Sequence, residues 1–201
     1  MTTRAFPNWH ELYRDQTAES LPWYYPGIDP DLDRALNARH LTSGRALDLG
    51  TGPATQAMAL AERGFEVVGS DLSGEAITQA KQRFGTRNPR VRFVQDDIVN
   101  STLSDQFDLV LDRGCFHVLA PEQRARYAQT LAGLVVPEGH LFLKCFSEDQ
   151  PGDLGPYRFS PREIEATFKP AFEILSIERT IYQGTLDPPP QALFCILRRA
   201  S

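Results

Sequence analysis

The stretch "RALDLGTGPATQAMALAERGFEVVGSD", residues 45–71, constrains the fold more than any other part of the chain. It reads as a strand, a turn containing Gly50 and Gly52, an Ala-rich helix and a second strand. Units of this kind build parallel sheets whose ligands bind at the carboxyl ends of the strands. The glycines allow a tight turn and a close approach of a ligand to the backbone. The stretch therefore predicts a nucleotide-like ligand beside the first strand.

The rest of the sequence continues this alternation of strands and helices. The predicted strands are 45–50, 65–71, 91–95, 107–112, 139–146, 172–182 and 191–199, and the predicted helices are 53–63, 73–84, 121–134 and 160–168. Pro53 is expected to be the first helical residue of its helix, and Ser73 to cap the next one. Because only a turn joins the last two strands, they must pair antiparallel. We therefore expect an α/β, Rossmann-like fold: a mostly parallel seven-stranded sheet with a C-terminal antiparallel hairpin and helices on both faces.

Length and composition indicate one domain at residues 1–201, with an aromatic N-terminal segment at 1–40 and the Rossmann-like core at 41–201. A formal net charge of −5 without a basic cluster predicts no nucleic-acid partner. No apolar run approaches the roughly 20 residues of a membrane span. The three cysteines have neither metal-ligand nor disulfide-framework spacing, so no metal is expected. Together with the lack of a signal-peptide pattern, they predict a cytoplasmic protein.

Three aspartates stand at the ends of successive predicted strands. Asp71 occupies the place, about 20 residues after the turn, where an acid binds ribose hydroxyls, and Asp97 is placed to accept a hydrogen bond from an exocyclic amine. Asp48 would repel a pyrophosphate but attract an α-amino group. S-adenosylmethionine, an adenosine that carries an amino acid and no phosphate, satisfies all three acids. The other interpretation of each aspartate is a cap on a helix or turn.

Three motifs carry a resemblance to a known family. "ALDLGTGPATQAMALAERGFEVVGSDLS", "VRFVQDDI" and "FDLVLDRG" resemble the cofactor motifs of class I S-adenosylmethionine-dependent methyltransferases. Ala54 stands where many members have a third glycine, and a residue as small as alanine should be tolerated. Further segments, including "DRGCFHVLAPEQRARYAQTLAGLV" and "GPYRFSPREIEATFKPAFEILSIE", are similar to the thiopurine methyltransferase group and its halide/thiol methyltransferase relatives. This similarity covers nearly the whole chain and implies the class I methyltransferase fold.

The resemblance and the three acids together predict a cofactor site. Its expected residues are Trp9, Tyr13, Trp23, Asp48, Gly50, Thr51, Gly52, Asp71, Leu72, Asp97, Ile98 and Asp112. Trp23, with Trp9 and Tyr13, is expected to cover the cofactor and to place an aromatic face against its sulfonium. The alternative is that these aromatic residues only attach the N-terminal segment to the sheet.

The acceptor residues are expected in and around "LDRGCFHVL". The predicted catalytic residues are Asp112, Arg113 and His117, and the predicted acceptor contacts are Trp23, Arg113, His117, Phe146 and Tyr157. The resemblance implies that Arg113 holds an anionic acceptor or favours a thiolate; the alternative is an ion pair with Asp112 or another loop acid. His117 is either a base for a thiol or hydroxyl, or a residue that orients its loop through a backbone hydrogen bond. The cysteines are interpreted as packing residues: Cys115, Cys145 and Cys195.

These observations predict methyl transfer from S-adenosylmethionine to a small-molecule acceptor by in-line displacement. Soft nucleophiles such as a thiol, halide or chalcogenide need little beyond alignment and exclusion of water, whereas a hydroxyl or amine acceptor would need a nearby base. The alternatives are a small-molecule O- or N-methyltransferase, a nicotinamide-dependent oxidoreductase, and a non-catalytic protein that binds S-adenosylmethionine. A monomer or weak homodimer is expected.

Overall fold

A computed structural model describes residues 4–85 and 87–200, so the first three residues of the predicted N-terminal segment lie outside the described residues. The strands are β1 (Gly44–Leu49), β2 (Phe65–Asp71), β3 (Val91–Gln95), β4 (Phe107–Arg113), β5 (Val135–Ser147), β6 (Arg158–Phe159), β7 (Phe172–Ile181) and β8 (Gln191–Arg199). The α-helices are α1 (Trp9–Asp15), α2 (Pro30–Ala38), α3 (Thr55–Glu62), α4 (Gly74–Phe84), α5 (Arg124–Leu134) and α6 (Pro161–Phe168). Among these residues, no helix has the length and apolar content needed to cross a membrane.

The strands form one sheet in the order β3-β2-β1-β4-β5-β8-β7. The first five strands of this order are parallel, and β8 is antiparallel to both β5 and β7. The expected fold, including the terminal hairpin, is confirmed. The difference is β6, an eighth strand of two residues that pairs with Phe146 and Ser147 at the end of β5, past the last β4 pair. A strand of two residues has no periodic sequence signal, so it was not predicted.

Helices cover both faces of the sheet, because alternate strand residues point to opposite sides. In β1, Ala46 packs in the core layer with α2, α3 and α4, whereas Leu47 packs in the layer with α5 and α6. The same alternation appears in β4, where Val110 lies between Leu109 and Leu111 but joins the opposite layer. Burying each such leucine or valine contributes about 1.5–3 kcal/mol.

Local backbone conformation corrects one predicted boundary and confirms another. Helix α3 begins at Thr55, not at Pro53, because Ala54 has φ 61° in the left-handed region and cannot continue a helix backwards. Helix α4 is capped as predicted: the Ser73 hydroxyl accepts a hydrogen bond from the Ala76 N–H at 3.2 Å.

The segment 1–40 contains two α-helices that the sequence analysis missed, α1 and α2, and α2 has a recognisable start. The side chain of Asp29 accepts the Asp31 N–H at 3.0 Å and Pro30 is the first residue of α2. Leu32 and Leu36, four residues apart, are completely buried in the core. The last part of the segment is therefore built into one helical layer of the sheet, although it was expected to be an attachment.

Two glycines outside the ligand-binding edge provide a test of this backbone. Gly64, between α3 and β2, has φ +112°, and an added Cβ would lie 2.8 Å from the Thr42 carbonyl oxygen. Gly133 lies in α5, where an added Cβ would have no atom within 4 Å. We expect Gly64→Ala to lower the free energy of unfolding by more than about 1 kcal/mol, and Gly133→Ala to raise it by about 0.5–1 kcal/mol. Urea unfolding followed by circular dichroism measures both variants. Equal changes in the free energy of unfolding would contradict the backbone conformations described at Gly64 and Gly133.

Candidate cofactor and acceptor site

A cavity of about 770 Å³ lies at the carboxyl ends of the parallel strands. Predicted site residues that line it are Trp9, Tyr13, Trp23, Gly50, Asp71, Leu72, Asp97, Ile98, Arg113, His117 and Phe146. Predicted site residues outside its lining are Asp48, Thr51, Gly52, Asp112 and Tyr157. Folding therefore brings most of the predicted residues to one place and leaves the others behind its walls.

The turn after β1 explains the glycine pattern of the sequence. Gly50, Gly52 and Ala54 have φ values of 67°, 44° and 61°, a region that favours glycine. A Cβ at Gly52 would collide with the Tyr13 hydroxyl, so this position also lets the N-terminal segment approach the turn. Ala54 is accommodated, as expected, but in a conformation that glycine adopts at lower cost.

Asp48 and Asp71 accept hydrogen bonds both from the turn after β1 and from the starts of helices α3 and α4. One oxygen of Asp48, Oδ2, accepts hydrogen bonds from the Thr51 hydroxyl at 2.6 Å and the Ala57 N–H at 3.0 Å. The two oxygens of Asp71 accept the N–H groups of Gly52 and Ser73, both at 2.9 Å. Burial raises the pKa of both carboxyls to about 6, against the effect of these hydrogen bonds. Asp48 Oδ1 has no hydrogen-bond partner among the described residues.

Two more aspartates line the cavity after β3. Asp97 caps the short helical turn Ile98–Asn100, since its oxygens accept the Val99 N–H at 3.0 Å and the Asn100 side-chain amide at 2.9 Å. Asp96 accepts the Thr102 N–H at 2.9 Å through Oδ1, while its Oδ2 is buried without a partner in the described structure. With Asp71, these carboxylates make this side of the cavity unfavourable for a phosphate and suitable for hydroxyl, amine and ammonium groups.

Asp112, at the end of β4, fixes the turn that follows it. Its carboxylate accepts the N–H groups of Gly114, Cys115 and Phe116 at 2.9, 2.7 and 2.9 Å, and the Tyr127 hydroxyl also donates to it. The side chain is completely buried, and burial raises its pKa to about 6. It lies behind the cavity wall rather than in it.

Arg113 forms an ion pair across the fold. Its Nε donates to Asp29 Oδ2 at 2.8 Å and its Nη1 to the Trp23 carbonyl oxygen at 2.9 Å. Its Nη2 donates to the Gln183 carbonyl oxygen, and the guanidinium carbon lies 4.8 Å from the centre of the Tyr182 ring. The carboxylate that pairs with Arg113 is therefore that of Asp29. These contacts agree with the alternative interpretation, in which Arg113 forms an ion pair with a loop acid.

Lys144 completes a buried ion cluster, which we define as Asp29, Asp31, Arg113 and Lys144. The Lys144 ammonium, on a side chain 1% exposed, donates to Asp29 Oδ1 at 2.9 Å and to Asp31 Oδ2 at 2.7 Å. Within the cluster the two positive and two negative charges balance, and the partly exposed Arg34 also pairs with Asp31 at 2.8 Å. The sequence analysis missed this cluster, although a lysine inside the apolar run "LFLKCF" was the signal, because a buried lysine requires acidic partners.

His117 is oriented by a backbone hydrogen bond. Its Nδ1 accepts the Phe146 N–H at 3.2 Å, and its ring centre lies 5.0 Å from that of Phe146 and 5.6 Å from that of Tyr182. Burial, with the charge of Arg113, lowers the pKa of His117 to about 3. Tyr157 supports the same loop from behind, where its N–H donates to the His117 carbonyl oxygen at 2.8 Å.

The N-terminal aromatic residues form another wall of the cavity. The ring centres of Trp9 and Tyr13 lie 5.9 and 6.4 Å from that of Trp23, whose Nε1 donates to the Tyr13 hydroxyl at 3.2 Å. These contacts attach the segment to the sheet and also place all three rings at the cavity. Lining residues that the sequence analysis missed or interpreted differently include Phe6, Asp96, Cys115, Leu154, Tyr182 and Leu186. Within the described residues, no group of three His, Cys, Asp or Glu side chains is arranged to hold a metal.

Comparison with known proteins then assigns the chain to a family. A family described as "Methyltransferase domain" matches residues 46–139. The "Probable thiol methyltransferase 2" of Arabidopsis thaliana is 30% identical over 181 residues, which are 88% of this chain and 78% of that protein. This chain belongs to the S-adenosylmethionine-dependent methyltransferases. The match confirms the predicted family and cofactor, and this methyltransferase acts on a small molecule.

Two further relatives of this methyltransferase differ in their acceptors. The 2-heptyl-1-hydroxyquinolin-4(1H)-one methyltransferase of Mycobacteroides abscessus is 30% identical over 172 residues, which cover 82% of this chain and 75% of that protein. A crystal structure of Burkholderia thailandensis 1,6-didemethyltoxoflavin-N1-methyltransferase, with S-adenosylhomocysteine bound, has a TM-score of 0.70 at 23% identity and covers 95% of this chain and 82% of that chain. The comparison with the Burkholderia structure shows that the two proteins share a fold.

Substitution of one ion-cluster member tests its role in the methyltransferase. We expect Lys144→Met to lower the free energy of unfolding by up to about 3–5 kcal/mol, because it removes the ammonium group from two buried carboxylates. Asp29 then pairs with Arg113, and Asp31 with the partly exposed Arg34.

The matched control is Lys169→Met, which removes an exposed i,i+4 pair with Glu165 and should change stability little. Urea unfolding measures both variants, and equal midpoints would show that the cluster has no stabilising role.

Proposed function

We propose that this methyltransferase transfers the methyl group of S-adenosylmethionine to a small soft nucleophile, a thiol, halide or chalcogenide, by in-line displacement. The observation that carries the proposal is the division of one cavity into two chemically different sides. Asp71 ends β2 and Asp97 follows β3, whereas Phe146 lies in β5 and Tyr182 follows β7. All four line the cavity, and the sheet order puts the acids and the aromatic rings on opposite sides of the central strands β1 and β4. The name of the Arabidopsis relative supports a thiol as the acceptor.

The acidic side is the proposed cofactor site. Asp71 would accept the ribose hydroxyls and Asp97 the adenine amine, beside Leu72 and Ile98. The turn at 50–52, with Gly50, Thr51 and Gly52, would lie under the amino-acid part, and the unpaired Oδ1 of Asp48 would attract its ammonium group. These groups fit the cofactor because the carboxylates offer acceptors to its hydroxyl, amine and ammonium donors. The glycines of the turn let its amino-acid part approach the backbone.

The N-terminal aromatic wall is proposed to close over the reacting centre. Trp9, Tyr13 and Trp23 line the cavity as one ring cluster, held together by the hydrogen bond between Trp23 and Tyr13. An aromatic face attracts a sulfonium and excludes water from the transfer step. The ring of Trp23 is therefore proposed to contact both the cofactor and the acceptor.

The opposite wall is the proposed acceptor site, formed by Arg113, His117 and Phe146. Arg113 would keep this wall in place through its hydrogen bonds, while Asp29 balances its charge. Asp112 and Tyr157 would act as positioning residues, since they hold the turn and the backbone that carry Arg113 and His117. Methyl transfer to a soft atom then needs mostly alignment, which a rigid wall supplies.

A second candidate function is O-methylation. The Mycobacteroides relative, whose name specifies a hydroxyquinolone, favours it at the same level of identity as the thiol methyltransferase. Such a reaction on a neutral hydroxyl requires a base near the acceptor. His117 is the imidazole in the described cavity lining, and its pKa, lowered to about 3 by burial and then by Arg113, makes it too weak a base for that role.

The experiment that tests the function is a screen for S-adenosylhomocysteine release with thiols, iodide, hydrogen selenide and hydroxylated aromatics. A thiol or halide should give S-adenosylhomocysteine and methylated product in equal amounts. Turnover restricted to hydroxyl acceptors would establish the second candidate instead. Cofactor binding without release for any acceptor would indicate a non-catalytic binding protein.

Asp71 predicts a pH dependence of cofactor binding. Its pKa of about 6 is raised by burial, so it gains a proton as the pH falls through that value. A protonated carboxyl is a weaker acceptor for ribose hydroxyls, so the affinity is full above about pH 6 and is lost below it, by up to about tenfold per pH unit for one proton. Titration calorimetry with S-adenosylhomocysteine between about pH 7 and pH 5 measures this change.

Two variants control this measurement. Asp71→Asn should weaken binding and make the pH profile shallower, with Asp48 and Asp112 as the remaining acids whose pKa is raised. Asp105→Asn should keep the wild-type profile, because Asp105 pairs with Arg45 and Arg92 outside the cavity lining. A constant affinity across this pH range in the wild type would mean that Asp71 does not bind the ribose.

Other features stay predictions from the sequence: a single domain divided at residue 40, a cytoplasmic location, the absence of a nucleic-acid partner, and a monomer or weak homodimer.

A further inference from the structure

The acceptor wall presents one imidazole, and its hydrogen bonding defines which nitrogen carries the proton. His117 Nδ1 accepts the Phe146 N–H at 3.2 Å, so Nδ1 cannot itself hold a hydrogen while that bond exists. In a neutral ring the hydrogen is then on Nε2. Among the described residues Nε2 has no hydrogen-bond partner, although the ring lines the cavity. The side chain thus has one donor that the protein leaves unused.

The surroundings of this ring oppose a second proton. The Arg113 guanidinium at the end of β4 is positive, and burial also disfavours a charged ring. The Tyr182 hydroxyl donates its hydrogen to the Arg113 carbonyl oxygen at 2.6 Å, and no hydrogen bond joins it to the ring among the described residues. Asp112, on the same turn, directs its oxygens to three N–H groups and the Tyr127 hydroxyl. The Cys115 thiol is kept neutral, since burial and then Asp112 raise its pKa.

Gly114 allows this arrangement. It has φ +109°, and an added Cβ would lie 3.1 Å from His117 Nε2 and would collide with the Tyr182 hydroxyl. Glycine therefore keeps the space beside the unused donor open.

We propose that His117 is a fixed, neutral hydrogen-bond donor that binds the methyl acceptor as an anion formed in solution, so that the enzyme selects acceptors by their own acidity. The acceptor class is an acidic thiol with an apolar body, present as its thiolate. The apolar body is favoured by Phe146, Tyr182, Leu154 and Leu186, which line the same cavity. This inference rests on the proposed function.

The step balances without an enzyme base. A lone pair of the thiolate sulfur forms the bond to the methyl carbon, and the bond from that carbon to the sulfonium breaks. Its electron pair remains on the departing sulfur, which becomes a neutral thioether, and no proton is transferred. A hydrogen bond from Nε2–H holds the thiolate for this displacement and weakens as the negative charge disappears.

The tautomer and protonation state of the His117 ring are tested first, without any methyl transfer. We expect ¹⁵N NMR of the free protein to show His117 as the Nε2–H tautomer and unchanged between about pH 5 and pH 8, a window in which an unperturbed histidine titrates. N-acetylhistidine amide, measured in the same buffers, is the reference for a titrating imidazole. An Nδ1–H tautomer, or titration of His117 in this window, would overturn the proposal.

The kinetic test uses 4-nitrothiophenol, thiophenol and benzyl mercaptan, which decrease in acidity in this order, at saturating cofactor. The inflection of kcat/KM with pH should move with the pKa of each thiol. A single inflection shared by all three acceptors would instead identify a base on the enzyme. If iodide or hydrogen selenide is methylated but no thiol is, the inferred acceptor class is wrong while the proposed function stands. If none of these acceptors is methylated, the proposed function itself fails, and the NMR result still reports on the ring.

Two substitutions separate donation from structure. His117→Gln supplies an N–H group near the position of Nε2 but cannot act as a base, whereas His117→Asn keeps an acceptor for the Phe146 N–H and loses the donor into the cavity. We expect His117→Gln to stay within a few-fold of the wild-type kcat/KM and to keep the acceptor-dependent pH profile. His117→Asn should lose about 10- to 100-fold, the effect of removing a hydrogen bond to a charged group.

Cofactor affinity, measured by calorimetry, confirms that both variants are folded. A larger loss in His117→Gln than in His117→Asn, with unchanged cofactor affinity, would show that His117 only supports Phe146. Large and equal losses in both variants would show that His117 acts as a base. Either result would refute the fixed-donor role.

Discussion

The buried ion cluster is the constraint on which the arrangement of the site depends. Asp29 precedes α2, Arg113 ends β4 and Lys144 lies in β5, so the cluster joins segments that are distant in the chain. Charges in such an environment are stable only while each keeps its partners. The N-terminal segment, the central strands and the loop after β7, through Gln183, are therefore held in one relative position. This position defines the wall that carries Arg113 and, next to it, His117.

The aspartates at the strand ends share a second physical principle. Asp48, Asp71 and Asp112 each bind N–H groups of the turn or helix that follows, and burial raises the pKa of each. The two interpretations of these acids, as structural caps or as ligand groups, are compatible, because a carboxylate accepts more hydrogen bonds than a turn uses. Asp112 accepts four hydrogen bonds within the protein, whereas Asp48 and Asp71 each accept two and keep unused lone pairs. A cofactor with donor groups would compensate for their burial.

The predictable parts of the fold were those with a repeated local signal. Short apolar runs between helical patterns predicted seven of the strands, and the short link before β8 predicted the hairpin. The start of α3 was wrong because the left-handed conformation of Ala54 is set by the turn around it. Helix α2 was missed although Asp29 and Pro30 form a recognisable start, since the aromatic residues before it suggested an irregular segment.

The sequence by itself determined the fold class, the family and the cofactor, because glycine turns, strand periodicity and acids at strand ends are local patterns with direct physical meanings. Only the tertiary structure decided what Arg113 and His117 contact. The partners of Arg113 are Asp29 and backbone oxygens far along the chain, and the proton position on His117 depends on the Phe146 N–H. The state of a buried ionisable group follows from the groups that surround it in space, and no local pattern specifies which distant segments will meet.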